Sequence, residues 1–249
     1  MKKMRRVDTM KHLALFDIDK TLLVGSHFHY LAMKQAVKNV YGLENPKPVP
    51  NLQGMTDLQI LYTTLSQEGL DRETIDSGID ECMSGMITYF RENVVKEHII
   101  CLDGVKDVLE NLKQSGVPRG LVTGNLEPIA WLKLDKIGIR DYFRFGGFGN
   151  ESADRSLLVR HAVERAGAIY GTFSKENVFV VGDTPRDVLA GQKNGVKTVA
   201  VATGDFTVEE LEATGADFVL ENLKDTGGLQ KIVSEMELDV TPESNPVQQ

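Results

Sequence analysis

Apolar positions along this chain change period repeatedly, and each change marks an element. Leu13, Ala14, Leu15 and Phe16 form a short unbroken apolar run with the length and bulk of a strand buried on both faces, and Asp17 and Asp19 stand where it ends. After Val24 the spacing becomes helical. Phe28, Leu31, Ala32, Ala36 and Val40 share one face, with Gly42 as the stop. The proline-rich stretch 45–50 cannot continue a helix. Thr56 then predicts the cap of a second helix, which carries Leu58, Ile60, Leu61 and Leu65 and closes at Gly69. Asp71 starts a third, with Ile75, Ile79, Met83, Met86 and Phe90 at helical spacing. Residues 25–98 therefore read as a helical unit with no strand of its own.

From Leu102 onward helical and strand-like segments alternate, as a parallel α/β sheet requires. Val105, Val108, Leu109 and Leu112 make one helical face ended by Gly116. Residues 118–123 then read as strand, 127–137 as helix, 143–148 as a weak strand and 155–166 as helix. Residues 178–181 are a further buried strand that runs into Gly182-Asp183, after which Pro185 suits the first turn of a helix and Gly195 its end. A further strand at 197–202, an edge strand at 216–220 and a closing helix at 229–236 complete the pattern. The whole helical unit separates the first strand from the second, which marks an inserted cap. The predicted class is α/β, with a core of residues 11–24 and 99–236, a helical cap of residues 25–98, and flexible termini at 1–10 and 237–249.

Composition narrows the function class. A chain of 249 residues with 41% hydrophobic content can bury a sizeable core. The formal charge of −8 argues against a broad nucleic-acid or acidic-membrane footprint, which needs positive potential. Cys82 and Cys101 lie in neither a C-x-x-C nor a zinc-ligand spacing and read as reduced thiols. Residues 1–12 are basic, but the apolar run after them is too short for a signal peptide, and no later run suffices for a membrane span. The expectation is a cytoplasmic protein acting on a small molecule, as a monomer or a homodimer.

Three predicted strand ends carry polar residues suited to phosphoryl transfer. Asp17 and Asp19 follow the first strand, Thr123-Gly124-Asn125 the second, and Gly182-Asp183-Thr184-Pro185-Arg186-Asp187 the fourth. One carboxylate can attack phosphorus while a second handles the proton, and a divalent cation would quench the crowded negative charge. A hydroxyl with free backbone N–H groups at a strand-to-helix turn makes a phosphate cradle. Asp183 could complete the oxygen-rich shell magnesium prefers, with Asp187 one helical turn on holding it directly or through a neighbour. Taken singly, each residue has a plainer reading: Asp17 and Asp19 as a turn, Thr123 as a helix cap, Asp187 as a solvated helix acid.

Taken in order, the D-x-D-x-T of residues 17–21, the T-G-N of 123–125 and the G-D-x-x-x-D ending in Asp183 and Asp187 resemble the haloacid dehalogenase superfamily. The resemblance spans about residues 13–220 and implies a Rossmann-like fold, Mg²⁺ and an aspartyl-phosphate intermediate. It implies Asp17 as nucleophile and metal ligand, and Asp19 as general acid/base and ligand through its carbonyl. Thr123 would contact phosphate, and Asp183 would bind metal. The family's basic residue before the fourth strand is matched by Arg155, where most relatives have Lys; the alternative is a helix-face arginine paired with Asp154 or another acid.

An acid at position 19 favours phosphate-ester hydrolysis or a phosphomutase over dehalogenation. The short interval between Thr123 and Arg155 leaves the lid to residues 25–98, as in phosphoglycolate phosphatase-like and sugar-phosphomutase-like members. The phosphatase on a small phosphorylated metabolite is preferred. The β-phosphoglucomutase-like alternative rests on His29 as a substrate contact, and Asp57 in Gly54-Met55-Thr56-Asp57 counts against it because an acid there would repel a second phosphate. A phospho-accepting or binding module without catalysis is the reading from a different class; receiver domains are shorter and lack the helical insertion.

Overall fold

All four side chains of Leu13–Phe16 are withdrawn from solvent, as an apolar run without polar alternation requires of a central strand. The computed structural model describes residues 12–224, 228–229 and 231–233. The expected flexible termini lie outside the described residues, and of the expected closing helix only 228–229 and 231–233 are described, as helix. In chain order the elements are β1 (Leu13–Phe16), β2 (Leu23–Val24), α1 (His27–Tyr41), α2 (Asp57–Gln67), α3 (Arg72–Asn93), β3 (Ile100–Cys101), α4 (Val105–Gln114) and β4 (Arg119–Thr123). There follow α5 (Glu127–Lys136), β5 (Gly146–Phe148), α6 (Arg155–Tyr170), β6 (Val178–Gly182), α7 (Pro185–Asn194), β7 (Lys197–Val201), α8 (Val208–Glu212) and β8 (Phe218–Leu220).

Six strands form one parallel sheet in the order β5-β4-β1-β6-β7-β8. β1 lies inside it and is covered on both sides. Ala14 and Phe16 pack with Val108 and Leu112 of α4 and Ala130 of α5, whereas Leu13 and Leu15 pack with Leu158, Val159 and Ala162 of α6. From β1 the sheet grows one way through β4 and β5 and the other way through β6, β7 and β8, so β1 borders the point where strand order reverses. Ligands of such sheets bind outside the carboxyl ends of the strands at that point. The register makes the site compact, because Phe16 stands opposite both Leu121 and Val181. Asp17, Thr123 and Asp183 therefore leave the sheet side by side.

Between β1 and β4 the chain builds the three expected helices. Gly42 ends α1 in the left-handed conformation, Thr56 caps α2 by accepting from the Gln59 N–H at 3.1 Å, and Asp71 caps α3 by accepting from the Thr74 N–H at 2.8 Å. Ala36, Leu61, Leu65, Ile79, Met86 and Phe90 form their shared core, which continues into Leu126 at the head of α5 and Ile129 within it. The insertion is thus seated on the sheet domain through apolar contact.

Some features depart from the expectations. β2 and β3 pair antiparallel at the two ends of the insertion, Leu23 with Cys101 and Val24 with Ile100, a ribbon too short to leave a period in the sequence. The strand expected over 143–148 begins only at Gly146, because Phe143 and Phe145 turn into the core on either side of the sheet. α8, five residues held by a Thr207–Glu210 capping box, was unexpected. Both cysteines are free thiols, Cys82 buried and Cys101 half-buried. Among the described residues no helix is long and apolar enough to cross a membrane.

Candidate active site

Asp17 follows the last residue of β1, and its backbone N–H donates to the Val181 carbonyl of β6 at 2.9 Å. That bond ties the ends of the two strands together. Carboxylate oxygens of Asp17, Asp183 and Asp187 consequently lie within 4.8 Å of one another, all three side chains buried. Asp183 accepts from the Thr21 hydroxyl at 3.2 Å, so the threonine of the D-x-D-x-T run steadies an acid from a strand 162 positions later.

Arg155, only 6% exposed, lies between two of these acids. Its Nη2 donates to Asp17 Oδ1 at 2.6 Å and its Nε donates to Asp187 Oδ1 at 2.9 Å. The alternative partner, Asp154, is spent on capping α6 through Ser156. Asp187 does not face solvent: its second oxygen accepts from the backbone N–H and hydroxyl of Thr184, completing the capping box of α7. With Oδ1 bonded to Arg155 as well, both oxygens of Asp187 are already used. Asp17 Oδ2 receives no hydrogen bond from any described residue.

Three carboxylates against one guanidinium leave two negative charges uncompensated in a buried cluster. Burial, ahead of the neighbouring acids and against the pull of Arg155, pushes Asp17 well above the ordinary carboxylate range. Burial followed by Asp17 and Asp187 does the same to Asp183. Arg155 moves the other way from what burial alone would do, because Asp187 and Asp17 together hold its proton more tightly. The surplus of hard oxygen donors and negative charge fits a divalent cation such as Mg²⁺.

Asp19 stands apart from this trio. It bonds Lys133 through both oxygens at 2.8 Å and accepts from Asn125 Nδ2 at 2.8 Å. Burial would raise its pKa, but the Lys133 ammonium and the bonds from Lys133 and Asn125 bring it below the ordinary value. Thr123 is fully buried and accepts from the Asn125 amide at 2.6 Å, which leaves its own proton available. It does not cap a helix, since Leu126 holds the N-cap position of α5.

Lys133 was not anticipated. Fully buried in α5, it donates to Asp19, to Asn125 Oδ1 at 2.6 Å and to His29 Nδ1 at 3.1 Å. Its signal was present: Ile129, Ala130 and Leu134 are the apolar face of α5, and a lysine at 133 falls on that same face. His29 in turn bonds Asp57 Oδ2 at 2.9 Å through Nε2. An ammonium on one side and a carboxylate on the other assign the ring proton to Nε2.

The segment before α2 closes over these loops. Asp57 is buried, donates its backbone N–H to the Gly124 carbonyl at 2.7 Å and accepts from the Leu126 N–H at 2.8 Å. A Cβ at Gly124 would collide with the Met55 carbonyl, so only glycine lets the two backbones approach. Gly54, at φ 72°, sits against the Thr184 side chain, and its carbonyl accepts from Arg155 Nη1 at 3.3 Å.

The family profile described as haloacid dehalogenase-like hydrolase matches residues 14–201. A pyrophosphatase PpaX of Oceanobacillus iheyensis is 28% identical over 154 residues, 59% of this chain and 70% of the relative. A phosphoglycolate phosphatase of Agrobacterium fabrum is 26% identical over 211 residues, 80% of this chain and 85% of the relative. Among solved structures, a β-phosphoglucomutase of Clostridium difficile superposes with a TM-score of 0.68 at 16% identity, covering 92% of this chain and 100% of that one, which is a likeness of fold. With its six-stranded parallel sheet, its acids at neighbouring strand ends and a family match over well more than half its length, the chain belongs to the haloacid dehalogenase-like hydrolases.

Proposed function

We propose that the protein is a Mg²⁺-dependent phosphatase that hydrolyses a small phosphorylated metabolite through an aspartyl-phosphate on Asp17. The observation that carries this reading is the convergence of Asp17, Asp183 and Asp187 within 4.8 Å at the carboxyl edge of the sheet, with one Asp17 oxygen left open. Asp17 Oδ2 attacks phosphorus, the bond to the leaving oxygen breaks, and Asp19 gives that oxygen a proton. The approaching phosphate dianion raises the pKa of Asp19, which lets it carry that proton. In the second half Asp19 takes a proton from water, which attacks the aspartyl-phosphate, frees inorganic phosphate and restores Asp17.

Thr123 donates its hydroxyl proton to a phosphate oxygen, and the backbone N–H groups of Gly124 and Asn125 extend the cradle. Arg155 orients Asp17 and offsets charge between nucleophile and phosphate. Asp17, Asp183 and the Asp19 carbonyl would hold the cation, which when bound offsets the surplus negative charge so that a dianion can enter. Asp187, its oxygens engaged, acts by holding Arg155 and Thr184. Residues 25–98 serve as the cap, and Lys133, His29 and Asp57 link it to the acid/base residue. A mutase reading is less well supported, because the Asp57 carboxylate borders the substrate cleft and His29 is engaged at both nitrogens.

Phosphate release from p-nitrophenyl phosphate tests the reading: turnover with Mg²⁺, lost on chelation and regained on metal addition, is expected, and a metal-replete protein without turnover would count as a binding module. Asp183→Asn should raise the Mg²⁺ concentration for half-maximal rate by at least ~10-fold; an unchanged metal titration would remove it as a ligand. Arg155→Lys should lower kcat/KM by roughly 10–100-fold, because one ammonium cannot span Asp17 and Asp187 as the planar fork does. Steady-state kinetics within twofold of wild type would separate Arg155 from the reacting centre.

A further inference from the structure

The cleft above the reacting residues encloses about 350 Å³, and its two ends differ in chemistry. The floor carries Asp17, Asp19, Thr123, Arg155 and Asp183. The wall supplied by the insertion carries an apolar stretch of Met33, Val37, Val49, Leu52, Met55 and Ile60, with Ser26, Lys34 and Lys47 among its polar residues. At its mouth stand two large hydrophobic side chains that solvent reaches freely, Tyr30 at 63% and Leu52 at 46% exposure. Together with the apolar stretch behind them they give the cleft an apolar end of the kind small-molecule pockets present.

The charged groups beside the floor are paired, and those at the rim make solvent-exposed hydrogen bonds. Lys133 is held by Asp19, Asn125 and His29 and Lys20 by Asp205, whereas Lys34 and Lys47 stand at the exposed rim and through Nζ bond only the neutral Asn45 side chain and Gln67 carbonyl. The Asp57 carboxylate meets His29 and the Leu126 N–H. Seated against the methyl and thioether groups of Met33, Val37, Leu52 and Ile60, a leaving group bearing a carboxylate, a second phosphate or many hydroxyls would lose hydration, with Ser26 Oγ and the rim lysines as the polar contacts left to it.

We propose that the group esterified to phosphate is apolar, an aromatic or branched aliphatic alcohol that fills the Met33–Val37–Leu52–Ile60 wall while its phosphate reaches Asp17. This rests on the phosphatase reading and narrows it. It also separates the chain from the substrates in its relatives' names, phosphoglycolate and pyrophosphate, both charged at the end away from the scissile bond. In a hydrophobic pocket one methylene is worth roughly 10–200-fold in kcat/KM, so a whole apolar group should dominate selection.

The test compares phosphate release in Mg²⁺ buffer from benzyl phosphate and 3-methylbutyl phosphate with that from 2-phosphoglycolate and glucose 6-phosphate. All four expel an alkoxide, so intrinsic leaving ability does not decide the order. Acetyl phosphate, which offers little beyond its phosphoryl end, reports the chemistry alone. The expected result is a kcat/KM at least tenfold higher for the two apolar esters. If acetyl phosphate turns over but phosphoglycolate or glucose 6-phosphate equals or exceeds them, the inference is overturned, selection passes to Lys34 and Lys47 at the rim, and the phosphatase reading stands. If nothing turns over, acetyl phosphate included, both fall. Leu52→Asp puts a carboxylate on a half-exposed loop position and should raise KM for benzyl phosphate at least tenfold. A preference for the apolar esters that survives this variant also overturns the assignment.

Discussion

Asp17→Asn eliminates phosphate release, with a loss of at least ~10⁴-fold and a thermal unfolding midpoint within about 5 °C of wild type. The size follows from its place. Asp17 Oδ2 receives no hydrogen bond from a described residue, and an amide cannot attack phosphorus in its stead. Stability should change little because two effects oppose. The variant weakens the charge-assisted bond from Arg155 Nη2, worth about 1.5–3 kcal/mol, but it also relieves a buried carboxylate that its acidic neighbours disfavour. Retained turnover in a metal-replete assay would falsify the nucleophile assignment, and a large fall in midpoint would instead make Asp17 a structural anchor.

Lys133→Met should lower both stability and rate, and it tests the residue that links the insertion to the acid/base group. Removing the ammonium leaves Asp19, the Asn125 carbonyl and His29 Nδ1 without their shared donor. Leaving a buried acceptor unsatisfied costs about 1–3 kcal/mol. That range sits below the figure for breaking a fully buried pair because the Asp19 side chain keeps 39% exposure and water takes over part of its solvation. For a domain of this size the midpoint should fall by roughly 2–12 °C. The rate should fall by ~10²-fold or more, since Asp19 loses two of its three side-chain bonds and with them its aim at the leaving oxygen. A midpoint and kcat both indistinguishable from wild type would reduce Lys133 to a bystander, whereas Lys133→Arg should restore part of the bonding if the pocket tolerates its fork.

Much of the architecture was legible because its elements announce themselves locally. The unbroken LALF run, the Gly42 stop, the Thr56 and Asp71 caps and the Pro185–Gly195 bounds of α7 are short-range signals, and the backbone follows them. β2, β3 and α8 escaped for the opposite reason: two to five residues are too few to establish a period. Thr123 and Asp187 were each ambiguous alone. Burial resolves them, because a solvated helix acid would not be 2% exposed with both oxygens bonded.

The amino-acid order by itself determined the alternation of strands and helices, the interruption after the first strand and the identity of the acids at the strand ends, since each depends on neighbours a few residues away. Only the tertiary structure decided which charges meet. Arg155 reaches Asp17 across 138 positions and Lys133 reaches Asp19 across 114, distances over which no periodicity or spacing carries information. The sheet register, by setting Phe16 against both Leu121 and Val181, closes those gaps to hydrogen-bond length.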